Sequence, residues 1–219
     1  MHNTTKNLLD IENNIKVYLN KLNINNNPKI VAVSKTFKID KILPLIEHGH
    51  IDFGENKVQE ALEKWTEIKK KDSKVRLHMI GKLQTNKVKF AVQIFDYIHS
   101  VDSIKLAKKI ANEQNKINKK IKIFLQVNIG DENQKSGINK NDVSQLVYYC
   151  KEIGLDLIGL MCIPPADIDP EGYFEEMNKL NKNLNFLELS MGMSSDFLKA
   201  TKHHSTYVRI GSSIFGRRS

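Results

Sequence analysis

Eight short apolar runs, each followed by a stretch of helical periodicity, constrain this chain more than any other feature of it. The runs are "KIVAVSK" (29–35), "IDFGE" (51–55), "RLHMIG" (76–81), "YIHSV" (97–101), "IKIFLQVNI" (121–129), "LDLIGLMCI" (155–163), "FLELSM" (186–191) and "YVRIGS" (207–212). Amphipathic segments such as "IDKILPLIEHG", "VQEALEKWTEIKK", "SIKLAKKIANEQNKI" and "EGYFEEMNKLNKNL" lie between them. Apolar runs of this length read as strands, and the intervening pattern reads as helix. Strands that alternate with helices form right-handed units in a parallel sheet. Eight such units are the number that closes a (β/α)8 barrel. An open doubly wound sheet is the alternative, but no G-x-G-x-x-G follows the first strand. We read the chain as one α/β domain spanning residues 1–219, a (β/α)8 barrel preceded by an extra N-terminal helix. That helix carries Leu8, Ile11, Ile15, Val17 and Leu19 among polar residues.

Several classes of function are set aside by composition. No stretch nears the roughly 20 apolar residues of a membrane span, and the N-terminus has no apolar run of the secretory type. Cys150 and Cys162 make neither a disulfide framework nor a metal spacing, which fits a reducing, cytoplasmic compartment and a packing role. The formal charge of +9 raises the question of nucleic acid. The lysine-rich stretches "KKKDSK" (69–74) and "NKKIK" (118–122) lack the interleaved aromatics of a stacking platform, so they read as solvated surface.

In such barrels the active site lies at the C-terminal ends of the strands. Here those ends carry Lys35, Gly54-Glu55-Asn56, Gly81, Asp102, Asn128, Ser190-Met191-Gly192 and Gly211-Ser212. The seventh run continues into "LSMGMSSDF" and the eighth into "RIGSSIFG". Glycine lets backbone amides approach an anion closely, serine adds a hydroxyl, and the loops after strands seven and eight are where barrels often hold phosphate. Alternation in the eighth strand places Arg209 on the face opposite Val208 and Ile210, pointing inward. A buried guanidinium needs a partner, either a salt bridge to Glu55 or Asp102 or a bound ligand. Lys35 shares the face of Val31 and Val33 and opens into the same mouth. A lysine amine, a phosphate cradle and an arginine around one cavity suggest pyridoxal 5′-phosphate (PLP).

The segments "AVSKT", "DFGENKVQEALEKW", "HMIGKLQTNKVK", "VNIGDENQKSGI", "GLMCIPP" and "LSMGMSSDF…STYVRIGSSIFG" resemble the YggS/PROSC group of PLP homeostasis proteins, from about Ile30 to Gly216. The resemblance implies the barrel of the alanine racemase N-terminal domain. It implies a Schiff base on Lys35, phosphate contacts over Ser190, Met191, Gly192 and Ser194 and at Gly211 and Ser212, a pyridine-facing Arg209, and Asn56 near the cofactor. Asn56 also reads as a helix cap, with Gln59 completing a capping-box variant. His78, among Leu77, Met79 and Ile80, reads as a satisfied interior histidine. Lys82 stands where the group often has histidine, and "GDENQKSGI" reads as a loop over the mouth whose Lys135 is by default a surface lysine and, in the alternative, a second amine near the cofactor.

Arginine beside the pyridine nitrogen keeps that nitrogen unprotonated and the ring a weak electron sink. Racemisation tolerates this but needs a second acid–base group, which a further domain supplies in alanine racemase, and this sequence stops soon after its eighth run. The expectation is a monomeric PLP holder without substantial catalytic activity. It limits free aldehyde and passes PLP to PLP-dependent apoenzymes, with no membrane and no nucleic acid as partner. A minor amino-acid racemase or lyase is the alternative, and nucleic-acid binding through the basic surface the third reading.

Overall fold

The computed structural model describes residues 1–132 and 136–216. Helix α1 (Asn3–Lys21) opens the chain, with the His2 ring accepting the Thr4 amide at its start. It buries Leu8, Ile11, Ile15 and Leu19, a spacing of three to four residues that keeps one stripe on the barrel. Each such side chain contributes about 1.5–3 kcal/mol on burial. Val17, the fifth apolar residue of the helix, is 58% exposed. It sits two residues from Ile15, about 200° round the helix, and so faces water.

The alternation that follows is β1 (Lys29–Val33), α2 (Ile39–Glu47), β2 (Asp52–Glu55), α3 (Val58–Lys71), β3 (Arg76–Met79), α4 (Val88–Ile94), β4 (Tyr97–Val101) and α5 (Ile104–Lys116). It continues with β5 (Lys122–Val127), α6 (Val143–Glu152), β6 (Asp156–Cys162), α7 (Glu171–Asn183), β7 (Glu188–Ser190), α8 (Phe197–Lys202), β8 (Tyr207–Ile210) and α9 (Ser212–Phe215). The eight strands form one closed parallel barrel in chain order, so the (β/α)8 expectation and the extra N-terminal helix both hold. Closure comes from β1 against β8, with Lys29 opposite Tyr207 and Val31 opposite Arg209. Between β7 and β8 the ladder is short, a single register pair of Ser190 and Tyr207. Ser205 compensates there, its hydroxyl donating to the Met191 carbonyl at 2.7 Å and accepting the Met191 amide at 3.3 Å.

Two layers of core result. The larger lies between strands and helices and includes Phe53, Trp65, Leu77, Phe95 and Phe174. A smaller one fills the barrel itself with Val31, Tyr97, Phe124, Met161 and Tyr207. Both cysteines are buried and unpaired, and burial pushes each thiol up to about 12. Among the described residues no helix is long and apolar enough to cross a membrane. In the lysine-rich stretches Lys69 pairs with Asp96, Lys70 with Glu67, and Lys119 donates to the Phe95 carbonyl.

Candidate functional site

Strand β1 ends at Val33, two residues earlier than its apolar run suggests, and Lys35 falls in the turn that follows. Thr36 in this turn has a φ of 67°. A β-branched residue in the left-handed region is strained by about 1–3 kcal/mol, so the surroundings must impose it. They do. Glu60 on α3 accepts the Thr36 amide at 2.5 Å, and Lys64, one helical turn on, donates to the Ser34 carbonyl at 2.9 Å. Lys64 also bonds Glu55 and Glu60, each at 2.9 Å. Glu55 is fully buried and accepts in addition from the Ser34 hydroxyl at 2.7 Å and the Trp65 indole at 3.0 Å. Lys35 thus rides on a turn clamped from behind by an ionic cluster.

The turn opens onto a cavity of about 390 Å³ at the C-terminal mouth of the barrel. Lys35, Asn56, Ser194, Arg209, Gly211 and Ser212 all line it, brought together from β1, β2, β7 and β8 as the strand-tip rule requires. Val33, Phe37, Ile80, Ile163 and Met193 supply apolar wall, and Ser195 a third hydroxyl. Among the described residues two cationic side chains and no carboxylate line the space, which therefore suits a compact anion with a flat apolar body. Gly81 makes room for Asn56, because a Cβ there would lie 2.4 Å from the Asn56 carbonyl oxygen. Phe37 stacks on Phe215 with ring centres 5.0 Å apart and ties the Lys35 turn to α9. The Gly211 amide donates to the Ser194 hydroxyl at 3.2 Å, which joins the last two loops.

Ser190, Met191 and Gly192 are not among the lining residues. The Ser190 hydroxyl points into the barrel, Met191 packs in the outer core, and Gly192 is a packing glycine. With φ of 91°, Gly192 would place a Cβ 2.5 Å from that of Ala200. Arg209 is buried and donates to the Ser190 hydroxyl at 2.7 Å and the Cys162 carbonyl at 2.8 Å, not to Glu55 or Asp102. The reason is strand parity. Gly54 faces the interior, so Glu55 faces α3. Burial lowers the Arg209 pKa from its usual value, although it stays a cation.

Asn56 does not cap α3. The position before Val58 is Lys57, with no side-chain cap bond, and Gln59 donates to Glu63 instead. The cavity side of Asn56 is thereby left for other work. His78 is the buried, bonded histidine its neighbours suggest, with Asp52 and His99 each at 2.9 Å. Lys82 does not line the central cavity but borders two neighbouring clefts, one of which shares Asn56, Ile80 and Ile163 with it, and Lys135 lies outside the described residues. Phe37, Ile163 and Met193 carried no sequence signal, since an apolar residue after a strand is ordinary. Among the described residues no group of acidic, histidine and cysteine side chains could hold a metal ion.

The closed barrel and the cationic mouth define a class, and comparison with known proteins gives the same one. Residues 7–219 match the family described as alanine racemase, N-terminal domain. A pyridoxal phosphate homeostasis protein of Haemophilus influenzae is 37% identical, over 99% of this chain and 97% of that one. The one from Mus musculus is 36% identical over 87% of this chain and 77% of its own. The structure of PipY from Synechococcus elongatus with PLP bound superposes with a TM-score of 0.80 at 30% identity, covering 92% of this chain and all of that one. This chain belongs to the pyridoxal phosphate homeostasis protein family.

Proposed function

We propose that this chain binds pyridoxal 5′-phosphate at the C-terminal mouth of its barrel and keeps it in a bound, exchangeable form. The observation that carries this reading is the cavity itself: an amine, a guanidinium and three serine hydroxyls around about 390 Å³ without a carboxylate. The names of the relatives and the PLP-bound PipY structure support the same ligand. When bound, the group supplies an aldehyde that captures amines and a ring that can act as an electron sink.

Each residue then has a task. The Lys35 amine condenses with the aldehyde, with loss of one water. Ser194 and Ser212, with Gly211 allowing close approach, hold the phosphate. Arg209 faces the pyridine nitrogen as a donor and keeps it unprotonated, and Asn56 borders the ring. Ser190, Met191 and Gly192 shape this site from beneath, through Arg209 and α8. The donor arginine makes the ring a poor electron sink. Apart from Lys35, the lining residues among those described include no imidazole, carboxyl, phenol or thiol to move a proton on the opposite face. Both points favour a holder over a racemase. The bound cofactor is passed on when another amine displaces Lys35, which suits delivery to PLP-dependent apoenzymes.

The test is chemical. Purified protein mixed with PLP is expected to develop a visible absorption band, and borohydride is expected to fix the cofactor on the peptide containing Lys35. Lys35→Ala should abolish the adduct. A reducible adduct on another lysine in that variant overturns the assignment, and rapid α-proton exchange with amino acids overturns the holder reading.

A further inference from the structure

A line of side chains crosses the barrel interior from one mouth to the other. At the lower mouth Asp52, the first residue of β2, borders a second cavity of about 550 Å³ with Lys29 and His50. Arg76 grips Asp52 through two bonds of 2.7 and 2.5 Å. His78 bonds Asp52 at 2.9 Å through Nε2 and His99 at 2.9 Å through Nδ1. His99 bonds the Ser190 hydroxyl at 2.9 Å through Nδ1, and Arg209 donates to that hydroxyl at 2.7 Å. Both histidines are completely buried. Tyr97 stacks on His78 with ring centres 4.2 Å apart, Phe124 stacks on His99 at 4.3 Å, and Tyr207 packs against both. No water column is needed to join the two mouths.

We infer that Asp52, His78, His99 and Ser190 form a proton-ordered relay that positions Arg209, so that the carboxylate at the lower mouth governs the guanidinium at the upper one. The order follows from what each atom can do. An ionised carboxylate only accepts, so His78 carries its proton on Nε2. A neutral His78 then offers Nδ1 as an acceptor, and His99 must donate to it from Nε2. His99 Nδ1 becomes an acceptor in turn and takes the Ser190 proton. The Ser190 oxygen is left to accept from Arg209, which has no other role available to it. Every proton lies on the same side of its bond, and the ring nitrogens of His78 and His99 and the Ser190 hydroxyl are all satisfied.

The alternative order fails at one atom. If His78 were a cation, His99 would donate to Ser190, and the Ser190 hydroxyl would receive two donors with no acceptor among the described residues for its own proton. Burial lowers the pKa of both rings from the ordinary histidine value, and at His99 the neighbouring Arg209 charge adds to the effect. The titratable and charged groups facing the relay are Arg76 and His50 at Asp52, Asp96 and Arg76 at His78, and Cys162 and Asp196 near Arg209. Asp52, His78 and His99 touch nothing in the upper cavity, so they are positioning residues.

Long-range nitrogen–proton NMR of the apoprotein tests the order without any cofactor, with the rings assigned from His78→Gln and His99→Gln. Both rings are expected neutral with the proton on Nε2 at neutral pH. Asp52→Ala should release His78 from one tautomer and carry the change to His99, whereas Leu8→Ala, a comparable loss in the outer core, should leave both rings unmoved. Asp52→Glu should restore them. In the PLP-loaded protein, Asp52→Ala and Ser190→Ala should each weaken binding about tenfold and shift the pH midpoint of the visible band. A doubly protonated His78, a proton on His99 Nδ1, or unchanged His99 signals in Asp52→Ala overturns the relay. If Asp52→Ala does not fold, an unchanged band and affinity in Ser190→Ala does the same. The relay concerns Arg209 and deepens the cofactor reading, but the two fail separately: ordered rings with no PLP bound would remove the ligand and keep the relay.

Discussion

Lys64→Met is the sharpest perturbation of the clamp behind Lys35. Methionine keeps most of the stem and removes only the ammonium. The partners left behind are unequal. Glu60 reaches solvent, but the Glu55 carboxylate has 0% side-chain exposure and keeps only Ser34 and Trp65 as donors. Its second oxygen has no hydrogen-bond partner even with Lys64 present. Removing one partner of a buried ion pair costs about 3–5 kcal/mol, because the other is stranded. For a chain of this size that lowers the melting temperature by roughly 6–20 °C. Trp65 is the only tryptophan and donates to Glu55, so its fluorescence during urea unfolding reads the cluster directly. Adding Glu55→Gln removes the stranded charge, so the double variant should recover at least about 2 kcal/mol relative to Lys64→Met. A cost below about 1 kcal/mol, or strictly additive effects of the two substitutions, would refute the reasoning.

Two further outcomes are expected. Burial alone would raise the Asp52 pKa, but the hydrogen bond of His78 and the hydrogen bonds and charge of Arg76 outweigh it and hold the carboxyl at about 2, below its ordinary 3.8. A depressed folded value stabilises the protein above the unfolded one. About 2 kcal/mol is therefore present above pH 4 and lost as the pH falls from about 4 to 2; in acid titrations of unfolding free energy this step should disappear in Asp52→Asn, and its persistence would count against the pairing. Gly192→Ala should cost roughly 2–4 kcal/mol in urea unfolding, from a left-handed backbone and a Cβ driven onto Ala200; a neutral outcome would mean that α8 moves aside.

How far the sequence could be read depended on whether a property was local. The strand rhythm and the inward side of Arg209 follow from periodicity, which survives in one dimension. The position of Lys35 at a strand end was also visible, but not its turn, because Glu60 and Lys64 hold that turn from a helix more than twenty residues on. Asn56 looked like a cap because its type and spacing fit one, whereas the structure puts Lys57 at that position. Glu55 looked available to Arg209 until parity against Gly54 sent it outward. His99 and Ser190 stand 91 residues apart, and only closure of the barrel makes them neighbours. A lone histidine in "YIHSV" carries no sign of that.

Closure by β1 against β8 has a consequence for how this protein is made. Lys35 leaves the ribosome well over a hundred residues before Arg209 and Ser212. A growing polypeptide therefore holds one wall of the pocket while seven strands are made and lacks the opposite wall until the eighth docks. Cofactor capture belongs to the closed barrel, and its arrival would join the first strand to the eighth at their seam.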